Sequence, residues 1–200
     1  MKKIVAFLFV CALVFSGSAL FAQDASMGYF DIKLGTADAK AADDYKKFGF
    51  NAAVEGGFFL NPYFALSLNP SFTIIRWKSS GTTSGGALAA TAGSTSKNAY
   101  LIPVIANAKF FIPESVTGSP VTPYFGGGAG ASFMKFDSNW YKGFVWQVLA
   151  GAQYKLPDTN MSVLVEGGWR GQTVSDKIDT VKYEINMSGM FANAGVSFAF

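Results

Sequence analysis

Phe50-Asn51-Ala52-Ala53-Val54-Glu55-Gly56-Gly57-Phe58, residues 50–58, alternates in character at every second position. Side chains on an extended strand point to opposite faces in turn, so Phe50, Ala52, Val54, Gly56 and Phe58 share one face and Asn51, Ala53, Glu55 and Gly57 the other. One face is oily and the other is small or polar. The same rhythm continues on both sides. Phe64, Leu66, Leu68, Phe72 and Ile74 oppose Ala65, Ser67, Asn69, Ser71 and Thr73. Phe144, Trp146, Val148, Ala150, Ala152 and Tyr154 oppose Gln147, Gly151, Gln153 and Lys155, and Met161, Val163, Val165 and Trp169 oppose Ser162, Glu166 and Arg170. Finally, Met190, Ala192, Ala194, Val196, Phe198 and Phe200 oppose Asn193, Gly195, Ser197 and Ala199. The pattern predicts eight strands at 28–37, 48–59, 63–77, 98–112, 121–134, 142–155, 160–171 and 186–200. Most are long enough for a tilted bilayer crossing, which takes about 9–11 residues.

The chain opens on a different pattern. Lys2 and Lys3 precede an uncharged apolar run, Ile4 to Phe15, and small residues follow in Ser16-Gly17-Ser18-Ala19-Leu20-Phe21-Ala22. A basic start, a short apolar stretch and a small-residue site form a secretion signal. Residues 1–22 are therefore expected to be removed after Ala22, with Ala19 as the alternative, leaving one domain over 23–200. The apolar run falls well short of the roughly 20 residues a membrane-spanning helix needs. Cleavage would leave 14 basic and 13 acidic residues and no cysteine, since Cys11 lies within the leader. That balance offers no basic patch for nucleic acid and no disulfide or thiol chemistry.

The whole chain is 50% hydrophobic and only 14% charged, with 20 Phe and 22 Gly. Soluble domains carry about 25% charged residues. An exported, weakly charged chain with no apolar stretch long enough for a spanning helix leaves the closed β-barrel, which also satisfies every backbone polar group within lipid. The expected connections alternate in length: short at 60–62, 113–120 and 156–159, longer at 38–47, 78–97, 135–141 and 172–185. This is the short-turn, long-loop rhythm of outer-membrane barrels. Segment 79–96 is a low-complexity tract of Ser, Gly, Thr and Ala, broken by Leu88, with no charge and no Pro, and is expected to be a mobile loop.

A soluble barrel would show the same alternation turned inside out. Three features favour lipid outside. The polar faces carry too few charges for a water-exposed surface. Aromatic residues recur near the expected strand ends: Phe58, Phe59, Tyr63, Phe64, Trp77, Tyr100, Phe110, Phe111, Tyr124, Trp140, Tyr141, Tyr154 and Trp169, as in the girdles of membrane barrels. The chain also ends on Gly195-Val196-Ser197-Phe198-Ala199-Phe200. That ending resembles the C-terminal signal read by the outer-membrane assembly machinery, with Val196, Phe198 and Phe200 on one face. Together with Tyr100-Leu101-Ile102-Pro103-Val104, Pro123-Tyr124-Phe125-Gly126-Gly127-Gly128-Ala129-Gly130 and Trp146-Gln147-Val148-Leu149-Ala150-Gly151, it resembles the outer membrane protein beta-barrel domain family, in the style of OmpA-like and OmpX-like barrels. The resemblance implies an eight-stranded antiparallel up-and-down transmembrane barrel in the cell outer membrane. Pro70 and Pro103 depart from a regular ladder, because Pro cannot donate a hydrogen bond, and a bulge is expected at Pro70.

Chemistry is sparse. The charges expected to face the lumen are Asp31, Lys33, Glu55, Lys109, Glu166 and Arg170. An unpaired charge in a narrow interior costs roughly 3–5 kcal/mol, so they should pair in a structural network, the alternative being a gated ion path. Gly126, Gly128 and Ala131 fit a loose phosphate-cradle spacing, but the sequence continues as a strand where that motif needs a helix. Asp38, Asp43, Asp44, Asp176, Asp179 and Glu184 are acidic, but Lys40, Lys46, Lys47, Lys177 and Lys182 lie among them, which reads as solvated loops rather than a Ca²⁺ site. Trp140-Tyr141 is either an interface anchor or a binding tip. The small outer-membrane barrels that are enzymes (lipid A palmitoyltransferases and deacylases, omptin proteases) use an essential His, and this chain has no His. The expectation is no enzyme, no cofactor and no metal. The expected role is structural, with loops 38–47, 78–97 and 172–185 available to an extracellular ligand. A narrow pore, a small lipid-ligand barrel and an adhesin or immune-evasion protein are the alternatives.

Overall fold

The computed structural model describes residues 28–41, 45–78, 96–136, 139–178 and 181–200. The expected signal peptide lies outside them, as do Asp43, Asp44, Asp179 and most of segment 79–96. Eight strands run in sequence order: β1 (Gly28–Ala41), β2 (Tyr45–Asn61), β3 (Phe64–Lys78), β4 (Ser96–Phe111), β5 (Val121–Phe136), β6 (Asn139–Lys155), β7 (Met161–Ile178) and β8 (Val181–Ala199). Each pairs antiparallel with its sequence neighbour, and β8 returns to β1, so the sheet is a closed up-and-down barrel. Closure leaves no edge, which is what a sheet in lipid requires.

The alternation decides which way the wall faces. Phe50, Val54, Phe58, Leu66, Phe144, Trp146, Val148, Val165 and Met190 are exposed on the outside. Asn51, Glu55, Ser67, Asn69, Thr73, Gln147, Glu166 and Asn193 are buried inside. The oily face therefore meets lipid and the polar face fills the tube, which excludes the soluble, inside-out barrel.

The short connections are built locally. At the β2–β3 turn the Asn61 side-chain oxygen accepts the backbone N–H groups of Tyr63 and Phe64, both at 2.9 Å. The 113–120 connection, expected to be irregular, holds one helical turn, α1 (Glu114–Thr117), closed by Gly118 in a left-handed conformation. The start of β1 meets the last residue of the chain: Gly28 N–H donates to the Phe200 carbonyl at 2.9 Å and Phe200 N–H to the Gly28 carbonyl at 3.0 Å.

Three expectations are corrected. The segments 38–47, 135–141 and 172–185 are mostly strand, not loop. Pairing continues to Ala41↔Tyr45, Phe136↔Asn139 and Ile178↔Val181. Backbone hydrogen bonds between two adjacent arms hold them extended even where hydrophobic alternation fades. Pro70 makes no bulge: β2–β3 pairing skips the positions opposite Asn69 and Pro70 and resumes at the same offset. The β3–β4 ladder likewise skips Ser71 and Phe72, opposite Pro103 and Ile102. The register shift falls instead at Phe59/Asn61, beside the turn. The aromatic girdle is also smaller than expected. Phe58, Tyr63, Phe64, Tyr100, Trp140, Tyr154 and Trp169 are exposed, but Phe111, Tyr124 and Tyr141 point into the barrel. Trp140 and Tyr141 thus take opposite faces, as neighbours on a strand must.

Candidate functional site

The interior is layered. An apolar and aromatic cluster starts near the short-turn end with Tyr29, Ala65, Phe111 and Tyr124, with Phe59 packed against it, and continues through Leu149 and Phe191 to Ala37. Tyr29, Phe59 and Phe111 stack edgewise and tilted, with ring centroids 5.1–6.4 Å apart. Near the long-hairpin end a second cluster joins Ile75, Ala99, Leu101, Met134, Tyr141, Val174 and Met187. The polar-lumen reading missed both clusters. Their members sit at inward-facing positions but are apolar, so alternation of polarity fades there.

Packed among these side chains is a charged layer. Lys33 Nζ donates to Glu55 Oε2 at 2.5 Å and to Glu166 Oε1 at 2.8 Å. Lys109 Nζ lies 2.6 Å from Glu55 Oε1, 3.9 Å from Glu166 and 4.0 Å from Asp31. The Lys109–Glu55 contact is an ion pair off the axis of a hydrogen bond. The layer draws on distant parts of the chain because the closed sheet brings β1, β2, β4 and β7 around one axis. Neutral groups complete it. Glu55 also accepts from Tyr29 OH at 3.1 Å, Ser67 Oγ at 2.6 Å and Asn69 Nδ2 at 2.9 Å. Glu166 accepts from Tyr124 OH and Asn193 Nδ2, both at 3.1 Å. The Lys109 ammonium also sits over the rings of Tyr124 and Tyr29, at 5.0 and 5.6 Å.

Five of the six expected charges meet in this layer. Arg170 does not. Its Nε and Nη2 donate to the neutral Gln147 Oε1 at 3.2 and 3.0 Å, and its guanidinium lies 4.9 Å from the Phe191 ring centre. No carboxylate among the described residues pairs with it within 4.0 Å. A neutral chain of Thr73, Asn51 and Asn193 reaches the layer through Glu166, and Gln147 donates to Asn107. Thr73, Asn51, Gln147 and Asn193 lie on the polar faces that the alternation predicts, but no single strand shows which partners across the barrel they meet. Asp31 is fully buried with neither carboxylate oxygen hydrogen-bonded.

In the charged layer Lys33 is hydrogen-bonded to Glu55 and Glu166, whereas the Asp31 carboxylate and the Lys109 ammonium make no hydrogen bond, and among the described residues no group of His, Cys, Asp and Glu could hold a metal ion. The Gly126–Gly130 run stays in β5, with no helix following, so it does not form a phosphate cradle. Val196, Phe198 and Phe200 of the expected assembly signal lie along the outward phase of β8, and Phe198 and Phe200 are exposed.

An eight-stranded closed sheet, oily outside and filled inside, is a small outer-membrane β-barrel. The chain belongs to the outer membrane protein beta-barrel domain family, whose model matches residues 7–200. It is an outer-membrane protein. Among solved structures it is similar in fold to Neisserial surface protein A, at 19% identity and a TM-score of 0.59, covering 88% of this chain and 98% of that one. It is also similar to the outer membrane protein AlkL solved in lipid bilayers, at 13% identity and a TM-score of 0.52, covering 90% and 94%. No curated protein matches the chain in sequence.

Proposed function

We propose that this barrel is a sealed, non-enzymatic membrane platform that contributes to the outer membrane and holds its long hairpins toward the outside. The observation that carries this reading is the stacked filling of the lumen. A buried charged layer is packed among two apolar clusters, and eight strands leave room for side chains and little else. A pore needs a continuous wet path, and a lipid-ligand barrel needs a large apolar cavity. The described interior favours neither.

Short turns face the periplasm and longer hairpins the exterior in barrels of this kind. Segments 38–47, 78–97 and 172–185 then form the outer surface, where an extracellular ligand would bind. Two of these are arms of paired strand, stiffer than loops, and so better suited to holding a fixed contact surface. The C-terminal strand, with Val196, Phe198 and Phe200 facing outward, is the proposed contact for the assembly machinery.

Planar-bilayer recording tests the seal. The purified, refolded chain should give no steady nanosiemens current, and sustained conductance would sink the reading. Whole cells with hairpins 38–47 and 172–185 shortened should keep the barrel, shown by different gel mobility before and after boiling, while losing surface binding to host matrix proteins.

A further inference from the structure

The outer face of β5 is made of small residues where the surrounding wall is large. Ala131, Ala129 and Gly127 follow one another on the outward phase, and the register sets Ala129 beside Ala106 and Gly127 beside Ala108 of β4. Ala106, Ala108, Ala129 and Ala131 are exposed. Large side chains flank this floor: Leu66 on β3, and Trp146 and Val148 on β6, all exposed. Phe110 and Phe125, with ring centroids 5.2 Å apart, close it toward the short turns. The result is a trough in the oily wall, about 14 Å long from Gly127 to Ala131 at the rise of an antiparallel strand.

Two cations stand beyond the long-hairpin end of the trough. Lys135 of β5 and Lys142 of β6 are exposed on the same outward face. The ladder pairs Lys135 with Trp140 and Phe133 with Lys142, so the two lysines are diagonal neighbours, a relation that places residues about 7–8 Å apart. The Lys135 ammonium lies 5.9 Å from the Trp140 ring centre, and exposed Tyr100 flanks Lys135 from β4. Exposed Trp and Tyr at this height mark the lipid–water interface. Among the described residues neither lysine forms an ion pair with a carboxylate. Two neighbouring ammonium groups repel, and an anion set between them replaces that repulsion with attraction to both.

We propose that this wall binds one lipid of the outer leaflet, with its phosphorylated headgroup between Lys135 and Lys142 and an acyl chain along Ala131, Ala129 and Gly127. Charge decides the occupant. A second copy meeting this face about a two-fold axis normal to the membrane would set the same two lysines against their own counterparts. An uncharged lipid would fill the trough and leave both lysines without a counter-charge. The choice of leaflet rests on the outward placement of the long hairpins proposed above; the pairing of headgroup and chain does not.

Native mass spectrometry of the full chain refolded in detergent tests the site. The probe is bisphosphorylated lipid A, compared with its dephosphorylated form and with inorganic phosphate. The phosphorylated lipid should bind about tenfold or more tighter than either comparison, the worth of one charged contact. Changing Lys135→Gln and Lys142→Gln together should remove that advantage, while Lys155→Gln, at an exposed position beside a short turn, should keep it. Ala129→Leu raises the trough floor and should weaken binding with both lysines intact. Ala106→Leu raises the same floor from β4 and serves if Ala129→Leu does not fold. Dephosphorylated lipid held as tightly as the phosphorylated form, or affinity indifferent to the paired lysine change, reduces the lysines to interface anchors and overturns the proposal. So does affinity that both floor variants leave intact, or inorganic phosphate bound as tightly as the lipid. A dimer that excludes the lipid and that Ala129→Leu disperses also overturns it, giving the trough to a second copy. Steady conductance, or long hairpins found on the periplasmic side by proteolysis of intact cells, would instead sink the sealed-platform reading and leave the binding result standing.

Discussion

The inner face of β5 is bare where the inner faces of its neighbours are full. Along β5, Gly126, Gly128 and Gly130 point into the tube; across the β4–β5 ladder they face Lys109, Asn107 and Ile105, and across β5–β6 they face Leu149, Gln147 and Val145. β1 and β2, by contrast, carry Tyr29, Asp31 and Lys33, and Asn51 and Glu55, all buried. An eight-stranded barrel is just wide enough for side chains to fill. Long side chains on one wall therefore require short ones on another. Lys33 and Lys109, the largest fully buried side chains, fit in part because β5 leaves space. The glycine run and the charged layer are two halves of one packing solution.

The largest expected break comes from the crowded wall. Glu55→Ala removes the carboxylate that two lysines, Tyr29, Ser67 and Asn69 share. It leaves Lys109 with only the longer contacts to Asp31 and Glu166. Losing one partner of a buried ion pair costs roughly 3–5 kcal/mol. Urea unfolding in lipid vesicles, followed by tryptophan fluorescence, should show that loss. Unchanged stability would mean the layer is solvated and that the contrast between walls has no energetic weight.

The bare wall should break by overpacking instead. A Cβ added at Gly128 would overlap the Ala106 carbonyl oxygen, Asn107 Oδ1 and Ile105, the last at 2.9 Å. Two of those atoms are backbone or hydrogen-bonded, so the strand must move. Gly128→Ala should cost about 1–3 kcal/mol, the usual range for extra carbon in a full core. It should also disturb the Gln147–Asn107 hydrogen bond, visible as a shift of the Gln147 side-chain amide in NMR spectra. A neutral Gly128→Ala would mean that the glycines are not there for room.

A smaller effect sharpens the division between charge and its neutral support. Tyr124→Phe deletes one hydroxyl that donates to Glu166 while keeping the ring beside Phe111, 5.1 Å away, and under Lys109. One hydrogen bond is worth about 1 kcal/mol. The variant should lose that much in the same unfolding assay and should still migrate as a folded barrel before boiling.

Part of this architecture was legible beforehand, and the reason lies in the phase of the strands. Phe50 to Phe58 reveals its two faces because each position has a definite polarity, and Asp31, Lys33, Glu55, Lys109 and Glu166 could be assigned to the lumen by counting in twos. Their meeting in one layer depends on the stagger of the closed sheet, which no single segment contains. Arg170 shows the limit: it has the right phase and the wrong height. Ile74-Ile75 shows another, because two adjacent apolar residues carry no signal of which one points inward. Hairpin arms such as Ser175–Glu184 mix charges with apolar residues and resemble loops, yet cross-strand backbone bonds, blind to side-chain polarity, keep them extended.

The smallest expected effect is the sharpest control on the comparison between walls. Ala129 follows Gly128 on β5 but faces outward and is exposed. Its ladder partners are Ala106 and Trp146, also on the lipid side. Ala129→Val adds more carbon than Gly128→Ala does, but puts it where lipid can give way. Substitutions at exposed positions away from special contacts stay within about 0.5 kcal/mol, and this one should too. If Ala129→Val unfolded the barrel as readily as Gly128→Ala, intolerance would belong to β5 as a strand, through its backbone, and not to the face that looks into the tube. A silent Ala129→Val beside a costly Gly128→Ala assigns the whole difference to which side of a single strand the added carbon occupies.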